Sequence, residues 1–285
     1  MIISVLSGKG GTGKTLISTN LAAVTPKATY LDCDVEEPNG RLFFKPEKVE
    51  NEAVAVKIPE INHELCTGCR KCIDFCRFNA LAYIKDEVIV FDELCHSCGG
   101  CSLLCPEKAI SEKDKIIGRI EKGFSEGVEI ASGILNIGEV SGVPIIKQLL
   151  NLHKDKKDLV VIDCPPGSAC IVMESIKDSD YCVLVAEPSA FGVHNLNMVY
   201  ELVKLFSIPF GVVLNKCTEE ENPAEKFCLE KGIPIIGRIP FERKLGNINS
   251  EARLVVREDE GLKRYFTSIM ETLMKEVGHE TAINS

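Results

Sequence analysis

Two groups of residues in this sequence have types and spacings suited to chemistry. Near the N-terminus, Gly8-Lys9-Gly10-Gly11-Thr12-Gly13-Lys14-Thr15 fits the pattern G-x-x-x-x-G-K-[ST]. Its glycines let backbone N–H groups converge on phosphate oxygens, and a helix after it adds a positive N-terminal end. Lys14 can reach the β- and γ-phosphates of a nucleotide, and Thr15 can give a hydroxyl to Mg2+. The second group is eight cysteines: Cys66, Cys69, Cys72 and Cys76, then Cys95, Cys98, Cys101 and Cys105. Each set reads C-x2-C-x2-C-x3-C. Three thiolates this close suit three irons of one 4Fe–4S cube. Four-cysteine zinc is the competing reading, and the doubling of the whole run argues against it.

A phosphate loop needs a strand before it and a helix after it. Ile2 to Leu6 is a short apolar run with β-branched residues, and a helical pattern runs from Thr15 to about Val24. A second strand, Thr29 to Leu31, ends on Asp32-Cys33-Asp34. Later strands are expected at Leu159–Ile162, ending on Asp163, and at Tyr181–Val185. Two more follow at Phe210–Leu214, ending at Asn215, and at Ile233–Ile239, ending at Pro240. Helices are expected at about 192–206, 222–231 and 259–277. This rhythm predicts an α/β fold, a doubly wound and mostly parallel sheet with its ligands at the carboxyl edge. The last helix carries Leu262, Phe266, Ile269 and Leu273 on one face, which suits packing onto the core better than lying on a membrane. The polar tail Gly278–Ser285 reads as frayed.

Between about 62 and 113 the rhythm stops and a repeat takes over. Glu64-Leu65-Cys66 recurs as Glu93-Leu94-Cys95, and the remaining cysteines and Ala80-Leu81 recur at the same offset of 29 residues. The reading is therefore a discontinuous P-loop ATPase domain, 1–61 and 114–285, with an inserted small α+β domain, 62–113. The cysteine spacing resembles that of two-cluster bacterial ferredoxins, in which the fourth cysteine of each run serves the other cluster. That resemblance implies one cluster on Cys66, Cys69, Cys72 and Cys105, and another on Cys95, Cys98, Cys101 and Cys76. Arg77 stands where such ferredoxins carry a proline, whereas Cys105 is followed by Pro106. His96 lies in a cluster loop and reads as a loop residue rather than a ligand.

Lys9 makes the loop more specific. With K-G-G-x-G-K-T from Lys9 to Thr15, the sequence resembles the deviant Walker A class, the MinD/ParA/nitrogenase-iron-protein superfamily, over the whole chain outside the insertion. The resemblance implies an ATPase that dimerises on ATP, with Lys9 reaching the partner's nucleotide. It implies that Asp34 orients the attacking water while Asp32 supports the Mg2+ shell. It implies that Asp163, in Asp163-Cys164-Pro165-Pro166-Gly167, holds Mg2+-bound water while Gly167 senses the γ-phosphate. Asn215-Lys216 resembles the adenine-recognition position, and Pro240-Phe241 the loop over the base. The whole pattern looks like the superfamily members that carry an inserted ferredoxin domain. The favoured function is ATP-gated electron transfer through two 4Fe–4S clusters to an unidentified redox partner. The alternatives are an iron–sulfur or metallocofactor assembly factor, acting on a partner protein, and a redox-sensing regulatory ATPase.

Composition narrows the rest. The net charge is −9 and the pI about 5.3, with no long basic run, so nucleic-acid binding is not expected. Neither a signal peptide nor a bilayer-spanning run is legible, so a cytoplasmic protein without membrane insertion is expected. The 14 cysteines then read as metal ligands and small core residues rather than disulfides. Cys182 reads as a buried hydrophobe. Cys170 follows Asp163 at a spacing similar to a ligand of the nitrogenase iron protein, but no second cysteine lies between residues 106 and 163, and the C-terminal CxxC of Mrp-type cluster carriers is missing.

Overall fold

The computed structural model describes residues 1–152, 158–218 and 220–283, with side chains to Val277. Among the described residues eleven strands are formed: β1 (Ile2–Leu6), β2 (Thr29–Asp32), β3 (Val49–Ile61), β4 (Leu81–Ile84), β5 (Glu87–Val90), β6 (Ile110–Ser125), β7 (Val128–Leu135), β8 (Val160–Asp163), β9 (Tyr181–Ala186), β10 (Phe210–Cys217) and β11 (Ile235–Pro240). The helices are α1 (Lys14–Ala23), α2 (Gly40–Phe44), α3 (Lys71–Phe75), α4 (Gly100–Leu104), α5 (Val143–Asn151), α6 (Cys170–Ile176), α7 (Ala190–Leu205), α8 (Pro223–Lys231), α9 (Arg243–Ser250), α10 (Val255–Glu258) and α11 (Glu260–Ile283).

Nine strands form one sheet in the order β11-β10-β9-β1-β8-β2-β7-β6-β3. From β11 to β7 every neighbouring pair is parallel, and β6 and β3 add an antiparallel edge. The central strands are buried on both faces, which is why they read as continuous apolar runs. Alternation along them separates two cores. Leu31, Ile162 and Leu184 belong to one, and Tyr30, Val161 and Val183 to the other. The second core is closed by Phe266, Ile269 and Leu273 of α11, so that helix packs on the domain as its apolar face suggests. α11 runs past the expected end at 277. The expected fraying of Gly278–Ser285 concerns side chains, and at Asn284 and Ser285 the backbone too, that lie outside the described residues.

The sequence reading had no elements for residues 35–61 or 114–158, and here the fold adds a long ribbon. β3 pairs with β6 from Val49↔Gly123 to Ile61↔Ile110, with a register shift between Val54 and Ala55. β7 pairs with β6 only from Gly118 to Ser125, so the distal half of the ribbon projects as two strands. An isolated two-stranded ribbon is marginal in water. This one is capped at its tip, where Ile61 and Ile110 pack with Cys72, Leu81, Val88 and Cys101 in a third, small core. The chain between the ribbon strands forms α3, the β4–β5 hairpin and α4. β6 starts at Ile110, inside the boundary drawn at 113. The ribbon escaped the sequence reading because Glu50, Glu52, Lys57, Glu60, Lys113 and Asp114 interrupt any apolar run. Solvated antiparallel edge strands carry that pattern.

Candidate functional site

The carboxyl ends of β1, β2 and β8 converge on a cleft of about 690 Å3, lined among others by Lys9, Gly10, Lys14, Thr15, Asp34 and Pro165. That is enough room for a nucleotide-sized ligand. The loop Gly8–Gly13 joins β1 to α1. Gly13, just before the helix, has φ +98°, and a Cβ there would lie 2.1 Å from Asn215 Nδ2. A Cβ on Gly8 would lie 2.2 Å from the carbonyl oxygen of Asn195. Both positions therefore require glycine, one for backbone conformation and both for close approach.

Lys14 is buried among three carboxylates. Its Nζ lies 2.9 Å from Asp163 Oδ1 and 3.5 Å from Asp34 Oδ2. Burial alone would lower its pKa, but Asp163, Asp34 and Asp32 outweigh burial and hold it above the ordinary lysine value. Asp32 accepts from the N–H of Gly40 at 2.8 Å and of Asp34 at 3.2 Å. Burial, then the Asp163 charge, pushes the Asp32 carboxyl well up. Burial also raises Asp34, against the pull of Lys14. Tyr30 donates to Asp163 Oδ2 at 3.0 Å, and burial followed by that carboxylate raises its phenol, keeping it a donor. Three acids thus crowd around one cation, and the raised Asp32 and Asp34 carboxyls show the cost of holding negative charge there without a further cation. Thr15 and Asp34 line the same cleft, and Mg2+ takes one or two protein oxygens together with nucleotide phosphates and water rather than a cage of converging side chains, so this pair would suit it. Tyr30 was not legible as a site residue, although it sits two residues before Asp32 on the same face of β2.

Lys9 Nζ pairs with Glu187 of its own chain and lies 4.8 Å from the centroid of the Phe191 ring. Glu187 also meets Lys216 Nζ at 3.4 Å. Burial would raise the Glu187 carboxyl, but Lys9 and Lys216 bring it below the usual range. Glu187 was missed in the sequence; its signal was its place just after β9, at the carboxyl edge. Asn215 is buried beneath the loop, donating to the Thr12 carbonyl at 2.7 Å, while Lys216 donates to the Gly11 carbonyl at 2.8 Å. Pro240 pairs in register with Cys217. Among the described residues neither Asn215 nor Pro240 lines the cleft. Gly167 has φ +97° and donates to the Ser7 carbonyl at 2.9 Å. Thr12 Oγ1 closes the loop on the Lys9 carbonyl at 3.3 Å.

The eight clustered cysteines divide between two small cavities at the ribbon tip. Cys66, Cys69, Cys72 and Cys105 line one, and Cys76, Cys95, Cys98 and Cys101 line the other. The crossing arises because α3 and α4 pack together, so each run ends beside the start of the other. Backbone N–H groups approach two of the sulfurs, Ser97 to Cys95 at 3.5 Å and Ala109 to Cys105 at 3.3 Å. Burial raises the Cys72, Cys95 and Cys101 thiols, so thiolate there needs a compensating cation. Among the described residues no three candidate ligands converge on a point suited to a single metal ion. A cube spreads its four thiolates over four irons and does not need that convergence. The donor set therefore fits the cube. His96 stacks on Phe78, ring centroids 3.8 Å apart.

The other cysteines lie elsewhere. Cys33, Cys164, Cys182 and Cys228 are buried in the sheet core. Burial pushes the Cys164 thiol up to about 12, as suits a packed thiol. Cys170 is exposed at the start of α6, and Cys217 is half-buried.

The phosphate loop, its helix and the aspartates that end neighbouring strands make this a P-loop nucleotide-binding fold. The chain belongs to the CobQ/CobB/MinD/ParA nucleotide-binding domain family, whose profile matches residues 3–255. It is 37% identical over 221 residues to an uncharacterised protein of Methanocaldococcus jannaschii, covering 76% of this chain and 78% of the relative. It is 24% identical over 297 residues to a Pyrococcus horikoshii protein named an iron–sulfur cluster carrier, covering 96% of this chain and 86% of that one. Its fold is similar to the septum site-determining protein MinD of Pyrococcus horikoshii complexed with Mg-ADP, with TM-score 0.59, 20% identity and 95% of each chain covered. No helix among the described residues is long and apolar enough to cross a membrane.

Proposed function

We propose that this protein hydrolyses ATP and couples its nucleotide state to electron transfer through two 4Fe–4S clusters held by an inserted domain, residues 62–113. The observation that carries this reading is the division of eight cysteines into two four-cysteine cavities at the tip of a ribbon rooted in the nucleotide-binding sheet. The clusters, when bound, supply one-electron relay chemistry. Lys14 and the loop N–H groups bind the phosphates of ATP; Thr15 would hold Mg2+, with Asp32 and Asp163 supporting its water shell, and the ion would offset phosphate charge. Asp34 holds the attacking water. For Gly167 to meet a γ-phosphate, its N–H must leave the Ser7 carbonyl, so that segment moves when ATP binds.

Coupling to the ribbon has a short route. Asp32 and Ser132 are register partners on β2 and β7, and Ser132 is in turn partnered by Glu121 of the ribbon strand β6. A shift at the end of β2 therefore bears on the root of the ribbon. Dimerisation on ATP requires Lys9 to leave Glu187 and reach a partner's nucleotide. The redox partner is a separate protein in the cytoplasm, where thiols stay reduced.

A second reading, an iron–sulfur assembly factor, is favoured by the relatives named as cluster carriers. Anaerobic EPR with and without ATP, run beside cluster transfer to an apo acceptor enzyme, separates the two. Electron transfer expects two reducible clusters that persist, with spectra or potentials that respond to ATP. Rapid stoichiometric transfer to the acceptor would replace it with the assembly role. Stoichiometric zinc in active protein purified without oxygen would remove both.

A further inference from the structure

A second cavity of about 320 Å3 lies beside α2 and the paired strands β6 and β7, at the root of the ribbon. Leu42, Val49 and Ile130 give it an apolar lining. Two polar atoms buried in its walls have no hydrogen-bond partner among the described residues. They are Ser132 Oγ, on a residue 1% exposed, and Arg41 Nε. Buried polar groups without partners are uncommon and call for an explanation, an absent ligand among them.

The charge around the cavity is positive. Glu121 is the acidic residue in its lining, and it is shared between Arg41 and Arg119, leaving one surplus cation. Lys122 is balanced by Glu52. Lys45 forms no ion pair among the described residues and adds a second surplus charge. An apolar body with an anionic head would match this lining.

The cavity shares parts with the nucleotide cleft. Leu42 lines both, and Phe43 beside it lines the cleft. α2 begins at Gly40, whose N–H is held by Asp32 Oδ2. Ser132 is the register partner of Asp32. A ligand that displaces α2 therefore acts on a group hydrogen-bonded to Asp32, and one that engages Ser132 acts on the strand neighbour of Asp32.

We propose that this cavity is a binding site for a small organic carboxylate with an apolar body, and that its occupancy is coupled through α2 to the nucleotide cleft. The coupling rests on the reading that the cleft binds ATP; carboxylate binding does not. The test is calorimetric titration of the full chain, prepared anaerobically, with decanoate below its micellar concentration, and with decanol as the neutral control. One saturable site is expected, with decanol at least about tenfold weaker. Lys45→Glu and Arg41→Gln are each expected to weaken decanoate about tenfold, as loss of a charge-assisted contact does. Val49→Trp fills the cavity from an exposed edge position and is expected to abolish decanoate binding while ATP still binds. Saturating decanoate is expected to change ATP affinity about fivefold or more, with ATP changing decanoate affinity by the same factor. Absence of a saturable site, or binding unaffected by Val49→Trp and Lys45→Glu, overturns the proposal. Equal binding of decanol overturns the anion specificity, and unchanged ATP affinity at saturating decanoate overturns the coupling. If ATP itself fails to bind, the nucleotide reading falls, and the decanoate titration still decides the site.

Discussion

Lys14→Met isolates the electrostatics of the nucleotide cleft, because methionine keeps most of the volume and removes the charge. In the nucleotide-free protein that charge sits 2.9 Å from Asp163 and 3.5 Å from Asp34, with its side chain only 7% exposed. Breaking a buried pair by removing one partner costs roughly 3–5 kcal/mol, because the other charge is left uncompensated. The lower end applies here, since Asp32 or Asp34 can take up a proton and limit the cost. For a chain of this size about 3 kcal/mol corresponds to a fall of about 6–12 °C in melting temperature. The pH dependence has a definite sign. Asp32 and Asp34 already have raised folded pKa values, and losing Lys14 raises them further. A carboxyl of that kind contributes stability that is present below its unfolded value of about 3.9 and is lost as pH rises through the folded pKa. The deficit of Lys14→Met against wild type is therefore expected to be small near pH 4–5 and to widen toward neutrality. Millimolar Mg2+ is expected to recover part of it by occupying the acidic cluster. Differential scanning calorimetry in EDTA and in Mg2+, at several pH values, measures all of this. A variant that melts within about 1 °C of wild type at neutral pH, or whose deficit does not change with pH, would falsify the charge accounting.

Four further outcomes are expected. Gly8→Ala places a methyl 2.2 Å from the Asn195 carbonyl oxygen, so it is expected to cost roughly 1–3 kcal/mol and weaken nucleotide binding, as chemical denaturation and equilibrium titration would show. The double variant Cys69→Ser/Cys105→Ser is expected to retain about four of eight irons per chain, because both residues face one cavity, whereas Cys69→Ser/Cys76→Ser is expected to damage both clusters; iron and sulfide assays decide, and equal loss in the two doubles would refute the crossed assignment. Hydrogen exchange is expected to respond to ATP in Ile58–Glu64 and Lys113–Ile120 together, since Ile58 and Lys113 are register partners, and identical exchange in apo, ADP and ATP states would mean that the insertion is merely tethered. Asp34→Ala is expected to bind ATP without hydrolysing it and to sediment as a closed dimer, while Lys9→Ala binds ATP but stays open; a monomeric ATP-bound Asp34→Ala at tens of micromolar, by analytical ultracentrifugation, would remove the cross-subunit role of Lys9.

Many of the candidate site's groups were legible along the chain because they are local. The phosphate loop is eight consecutive residues, and its strand and helix carry continuous apolar patterns that survive any context. Asp32, Asp34 and Asp163 could be picked out because each stands at or just past the carboxyl end of a predicted parallel strand, where such sheets bind ligands. The cysteine spacing was likewise local, and it singled out the eight residues that the fold gathers into two cavities. Other features depend on residues far apart in sequence. β3 and β6 were hidden because solvated edge strands lack an apolar signature, and only their pairing, from Val49↔Gly123 to Ile61↔Ile110, puts residues 62–109 at the tip of a two-stranded arm. The junction of Glu187 with Lys9 and Lys216, and of Tyr30 with Asp163, joins residues with no local relation. Asn215 acquires its place beneath Thr12 only because β10 runs alongside β9, which in turn flanks β1. A sequence specifies which groups are available and how neighbours along the chain are spaced. Strand order and register decide which distant groups meet, and that depends on the folding of the whole sheet.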